Sequence, residues 1–257
     1  RFGLQRKTKK QWKPIFMPLL NFLRERKKIS HEDTCKDDTG QFRLSEEVSD
    51  MGRIKEVERR SFGSRKRNPV VYLICEGSET EIRYFKKFRS RECHIDIVPI
   101  PSQYKSADKL VQKARSTIAM NPYYPDEGDI IWCVFDCDDN TNQMLAKAKQ
   151  VAIKEGYKLA FSNPSFEVWF LLHFNNQITP VENCDAAIKL LKQKGRLEQY
   201  EKNKNVYDQL KPLQALAIER AKNRVSVLEE EHTEIVSRQS NPATTVAELV
   251  EYLNSKQ

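Results

Sequence analysis

Residues Val70 to Phe85 read VVYLICEGSETEIRYF. An apolar, β-branched run passes directly into a stretch holding the glutamates Glu76, Glu79 and Glu81. The run is far too short to cross a membrane and has the make-up of a buried strand. Ser78-Glu79-Thr80-Glu81 fits a capping box, and Ile82, Phe85 and Phe88 follow at helical spacing. A buried strand feeding at once into a helix is the start of a crossover unit, and crossovers join parallel strands.

The same alternation continues outward. Ile95 to Ile100 alternates as a strand, and Ser106 to Ile118 puts Ala107, Leu110, Val111, Ala114 and Ile118 on one helical face. Asp129 to Phe135 is the strongest strand in the chain. Thr141 to Glu155 is a helix that turns Leu145, Ala148, Val151 and Ala152 inward and stops at Gly156, and Tyr157 to Ser162 is a fourth strand. Strands separated by helices of crossover length predict an α/β fold, with a Rossmann-like parallel sheet of about four strands covered by helices on both faces. Beyond Pro180 the pattern is helical: Ala186 to Lys194, a charged stretch from Val206 to about Ile235, and a last helix after Asn241-Pro242. The chain therefore divides into a basic arm over 1–68, partly disordered or helical, a core over 69–180, and a helical region over 181–257 that packs on the core.

Lysine and arginine outnumber aspartate and glutamate by 44 to 36 in 257 residues, and the pI is about 9.1. That balance points to a polyanionic partner, because basic side chains release counterions from phosphates. The six cysteines form no CxxC pair, which argues against a zinc site or a disulfide framework and for reduced thiols in cytoplasm. The run IFMPLLNFL is broken by Pro18 and followed by Arg24-Glu25-Arg26-Lys27-Lys28, unlike a signal peptide, and no stretch is long enough to span a bilayer.

A second acidic cluster, VFDCDDN, ends the third strand sixty residues after Glu76. If extended geometry persists past Phe135, Asp136 and Asp138 point to one side. With strand order 2-1-3-4, the first and third strands are neighbours where the winding reverses, which is where open α/β sheets bind ligands. Glu76 then faces Asp136 and Asp138. Carboxylates brought together raise one another's pKa unless a cation neutralises them. Magnesium, or manganese, is the expected ion, since hard cations take carboxylate, water and phosphate oxygens. Glu81 is a further candidate, although the capping box alone accounts for it. In SNPSFEVWFLLHF, Ser162 to Phe174, Asn163 and Pro164 open a helix that carries Glu167 on its apolar face, as a general base or a second-metal ligand. His173 reads as structural. Lys189, Lys192, Lys194 and Arg196 form the densest basic group in the helical region and are candidate phosphate contacts.

ICEGSETEIRYF, VFDCDDN, LAFSNPSFEVWFLLHF and NPATTVAELVEYL, in this order over roughly Pro69 to Leu253, resemble the RloB family, also called AbiLii-like, a Toprim-fold group. The resemblance implies a Toprim-like catalytic core in which Glu76, Asp136 and Asp138 coordinate magnesium. It also implies a nuclease that cuts transfer RNA or DNA as the effector of a bacterial abortive-infection, anti-phage system, beside an ABC-type ATPase; self-association is left open. The long N-terminal arm departs from the family pattern. Two other readings compete. One is a HAD-type phosphohydrolase using Asp136, Asp138 and Ser162, disfavoured by Asn140 two residues after the second aspartate. The other is a non-catalytic subunit that binds nucleic acid or a partner.

Overall fold

A computed structural model describes residues 67–257 apart from residue 92. All of the arm expected over 1–68 except Arg67 and Asn68 lies outside the described residues. The chain builds β1 (Val70–Cys75), α1 (Thr80–Lys86), β2 (Asp96–Pro101), α2 (Ala107–Thr117), β3 (Ile130–Asp136), α3 (Asn142–Glu155), β4 (Lys158–Asn163) and α4 (Glu167–Phe174). Then follow α5 (Cys184–Leu191), α6 (Tyr207–Leu210), α7 (Gln214–Glu230), β5 (Ala243–Thr244) and α8 (Val246–Asn254). The sheet order is β2-β1-β3-β4-β5, parallel throughout except for antiparallel β5. The α/β fold, the parallel pairing and the expected neighbours β1 and β3 are all present. The fifth strand was not expected, because two residues are too few to carry an alternating pattern.

Side chains alternate across this sheet, so each strand feeds two cores. Tyr72, Ile74, Ile131, Cys133, Phe135 and Phe161 pack under α2 and α3 with Leu110, Val111, Ala114, Leu145 and Ala148. Val71, Leu73, Cys75, Trp132, Val134 and Ala160 face the opposite way, toward α1, α4, α7 and α8. That second core is rich in aromatic rings: Tyr84 lies against Phe85, Phe166, Phe170 and Tyr207, with ring centroids 5.3 to 5.9 Å apart. α4 runs through it with only Phe174 partly exposed, as a helix apolar on all sides must. Thr141 caps α3, and Gly156 ends it at φ 72°, a left-handed conformation that favours glycine.

Three local expectations are corrected. The capping box at Ser78 does not form: α1 starts at Thr80 behind Glu79 with no side-chain cap bond. Asn163 caps nothing either. It ends β4 and donates its amide to Ser237 O, Arg238 O and Ser240 Oγ, because α4 begins only at Glu167. The charged stretch after Val206 is interrupted at Pro212, separating α6 from α7, since proline cannot donate to a continuing helix. Among the described residues no helix is long and apolar enough to cross a membrane.

Asp129 ties the entry to the sheet together. Its carboxylate accepts from Val70 N, Tyr124 N and the Arg67 guanidinium, and its side chain is fully buried. Removing it strands two backbone donors and leaves Arg67 only the longer ion pair with Glu127 at 3.6 Å. Asp129→Ala is therefore expected to cost about 2–4 kcal/mol of folding stability, read as a lower denaturant midpoint with an unchanged slope.

Candidate active site

β1 and β3 end side by side, Cys75 opposite Val134, and Glu76 extends the pairing by donating its N–H to Val134 O at 2.9 Å. The Glu76 carboxylate turns across the gap and accepts from Asp136 N at 3.1 Å. Glu81 returns from the first turn of α1 and lays its carboxylate over Gly77. A Cβ at residue 77 would lie 2.2 Å from Glu81 Oε2, so only glycine leaves room for this approach. Glu167, the first residue of α4, is 2% exposed; it accepts from Tyr200 OH at 2.9 Å and Cys184 Sγ at 3.4 Å. Glu76, Glu81, Asp136 and Glu167 line one cavity of about 480 Å³, with Asp139, Lys105 and Lys202 at its walls.

This crowding has an electrostatic cost. Burial, and then the charges of Glu81, Glu167 and Glu76, pushes Asp136 well above the usual carboxylate range. Burial raises Glu76 from its ordinary 4.5 to about 7; Glu81 and Asp139 add to the rise, while the Asp136 N–H and Lys105 oppose it. Glu81 is also raised, by burial and then by Glu167, against hydrogen bonds from its own N–H and that of Gly77. The Tyr200 phenol is pushed up by burial and by Glu167, so it remains a donor to that carboxylate.

Asp138 departs from the expected geometry. Extended backbone ends at Asp136, and a turn follows in which Asn140 N donates to Cys137 O. Asp138 therefore does not share a side with Asp136. Its Oδ2 accepts from Cys184 N, the first N–H of α5, at 3.2 Å, a place where a carboxylate satisfies an otherwise orphaned donor. It stays close enough to Glu167 for that charge to raise its own pKa, after burial and Asp139.

Several supporting residues carried no local signal. Arg238 donates one guanidinium nitrogen to Asp138 O at 3.1 Å and Asn140 O at 2.9 Å, clamping the turn from a hundred residues away. Buried Asn140 donates to Asp136 O and accepts from Ala107 N, tying the tip of β3 to the start of α2. Tyr200 and Lys202 come from an irregular segment after α5. Of the basic group, Lys189, Lys192 and Lys194 are exposed, whereas Arg196 is half-buried and donates to Leu190 O, closing the end of α5. At 1.5 Å per residue, that end lies roughly 11 Å along α5 from Cys184. His173 is structural as expected: buried, with Nδ1 bonded to Trp169 O and its ring against Trp169.

Among the described residues, no three His, Cys, Asp or Glu side chains stand ready around one point to hold a metal ion. The donor chemistry nonetheless suits a hard cation. Six acids line the cavity, among them Glu76, Glu81 and Asp136 with raised pKa values, and magnesium is held by one or two carboxylates with waters and phosphates completing its shell.

Fold and site together define an α/β protein with an acidic cavity between two parallel strands, where the winding of the sheet reverses. The chain belongs to the RloB-like protein family, whose model matches residues 71–253. Comparison with curated proteins and with solved structures finds no match.

The carboxylates set a pH dependence. Between pH 4.5 and about 7 the unfolded chain releases a Glu76 proton that the folded chain keeps, so stability falls as pH rises through this window, by at most about 3 kcal/mol. Glu81 and Asp136 act in the same direction. In EDTA the urea midpoint should drop from pH 4.5 to 7.5, and millimolar magnesium should recover part of the loss at the upper end; a flat profile counts against the described crowding. Gly77→Ala should displace the Glu81 carboxylate, the free end of a flexible side chain. Its melting temperature should stay within a few degrees, a change of roughly 1 kcal/mol or less, while the magnesium-induced rise shrinks.

Proposed function

We propose that the chain is a magnesium-dependent nuclease of the Toprim type, hydrolysing phosphodiesters in RNA, with transfer RNA the first candidate, or in DNA. We further propose that it is the cytoplasmic effector of a bacterial anti-phage defence system, working with an ABC-type ATPase. The carrying observation is the meeting of Glu76, Glu81, Asp136 and Glu167 in one cavity where the winding of the sheet reverses, with Asp136 raised by burial and by the other three. The basic balance of the chain, 44 positive against 36 negative side chains, supports a polyanionic substrate.

Asp136 and Glu76 would hold the ion, with Glu81 available to a second. Bound there, magnesium would supply charge stabilisation at the phosphate and a more acidic attacking water. Glu167, held by Tyr200 and Cys184, would accept the proton of that water. Lys105 and Lys202 offset the phosphate charge at the cavity walls. Lys105 is anchored by its bond to Glu76 O at 3.1 Å.

A second reading, a non-catalytic binding subunit, has one observation in its favour: Asp138 and Glu167 already have protein donors, and no ligand set stands preformed. The phosphohydrolase alternative has none. Its required hydroxyl, Ser162 Oγ, is fully buried and bonded to Thr244 Oγ1 at 2.9 Å.

The test is cleavage of end-labelled RNA and DNA by the full chain in magnesium and in EDTA, with sequencing of cellular termini after expression. Asp136→Ala and Glu76→Ala should lose more than the roughly 10–100-fold that removal of an outer-sphere partner costs. Glu167→Gln should lose at least about a hundredfold. Growth arrest that wild type and both alanine variants cause equally would favour the binding subunit.

A further inference from the structure

A second cavity, of about 500 Å³, lies beside the acidic one. The segment from Arg196 to Val206 forms most of its wall. Tyr200 belongs to both places: it lines this cleft, and its hydroxyl holds Glu167. Two lysines divide in the same manner, Lys202 lining the acidic cavity and Lys204 the cleft. Residues two apart span at most about 7 Å, on the order of one nucleotide step. A strand with a phosphate at Lys202 therefore reaches the cleft with its neighbouring nucleotide.

The lining suits that occupant. Leu197 and Val206 are buried and offer apolar contact to a base. Gln199 and Gln209 are exposed, and neither side-chain amide has a hydrogen-bond partner among the described residues. An amide presents both donor and acceptor, as recognition of a base edge requires. Arg196 brings positive charge, and so does Lys204, whose ammonium pairs with Glu201 at 2.9 Å and would exchange that carboxylate for a phosphate; the one acid of the lining, Glu198, is taken up by Gly195 N at 2.9 Å. The volume is that of a site for one small ligand, and a duplex cannot enter it.

We propose that this cleft binds one unpaired nucleotide of the substrate strand, adjacent to the phosphodiester presented to the acidic cavity. The inference rests on the nuclease reading and extends it to substrate form: a single-stranded or looped segment, read on one side of the cut.

The experiment measures binding apart from cleavage. In EDTA, the full chain is titrated with fluorescein-labelled single-stranded RNA, single-stranded DNA of the same sequence, and the corresponding duplex. Single strand should bind more tightly than duplex, and the Gln199→Ala/Gln209→Ala double variant and Lys204→Ala should each weaken it by about tenfold with unchanged melting temperature. A 4-thiouridine strand should crosslink within residues 196–209. The RNA and DNA arms identify the preferred sugar. Undiminished affinity in these variants, preference for duplex, crosslinks that avoid the segment, or no binding by wild type would each overturn the cleft as a nucleotide site. Parallel cleavage assays in magnesium separate the two proposals. Cleavage that is indifferent to all three substitutions removes the cleft and leaves the nuclease; cleft-dependent binding with no magnesium-dependent cleavage does the reverse.

Discussion

Negative charge held out of water at the ends of β1 and β3 is the constraint around which this molecule is organised. Asp136 sits between Glu76, Glu81 and Glu167, and each of the three opposes its ionisation after burial has already done so. A fold gains nothing in stability from such an arrangement. It persists because the surroundings over-determine it: Asn140 and Arg238 hold the backbone of the β3 tip, Gly77 admits Glu81, and Tyr200 with Cys184 pins Glu167. Every one of these contacts positions an acid that could have been relieved by moving it into solvent.

The sheet makes this economical. Because β1 and β3 are adjacent and parallel, both end at the same edge, and the chain leaves them toward opposite sides of the reversal. Glu76 and Asp136 need no loop excursion to meet. The aromatic core beneath α1 and α4 then fixes the two helices that supply Glu81 and Glu167, since Tyr84 and Phe85 of α1 pack on Phe166 at the start of α4. Packing energy on one face of the sheet is thus converted into carboxylate position at its edge.

What the sequence made legible follows from the range of the interactions. The four parallel strands and their crossovers were readable because period and punctuation are local properties. Glu76 and Asp136 were readable because a strand end fixes where its next residue goes. Glu167 was found for its helix, though not for the cap assigned to it, since Asn163 is used by Ser237, Arg238 and Ser240 instead. Glu81 looked accounted for by a capping box that does not form. Asp138 lies two residues beyond the end of β3, where alternation no longer holds and an N–H of α5 captures the carboxylate. Arg238, Tyr200 and Lys202 were out of reach altogether, because their roles depend on tertiary approach across long stretches of chain. A two-residue strand such as β5 has no period to detect.

The turn of Asp138 toward α5 also bears on how a cation would be accommodated. Three fixed carboxylates would form a cage that draws most of the ion's shell from protein, the mode that suits calcium better than magnesium. Here the Glu76 carboxylate reaches across the strand ends to Asp136 N, and Glu167 has both oxygens engaged by hydrogen-bond donors. On the proposed nuclease reading, an ion held by these acids would keep positions for water and for a phosphate oxygen of the substrate. Lys105 and Lys202 beside the same cavity make sense on this account. The carboxylates of the cavity alone would repel a polyanion, and on the proposed reading the flanking cations would offset that repulsion.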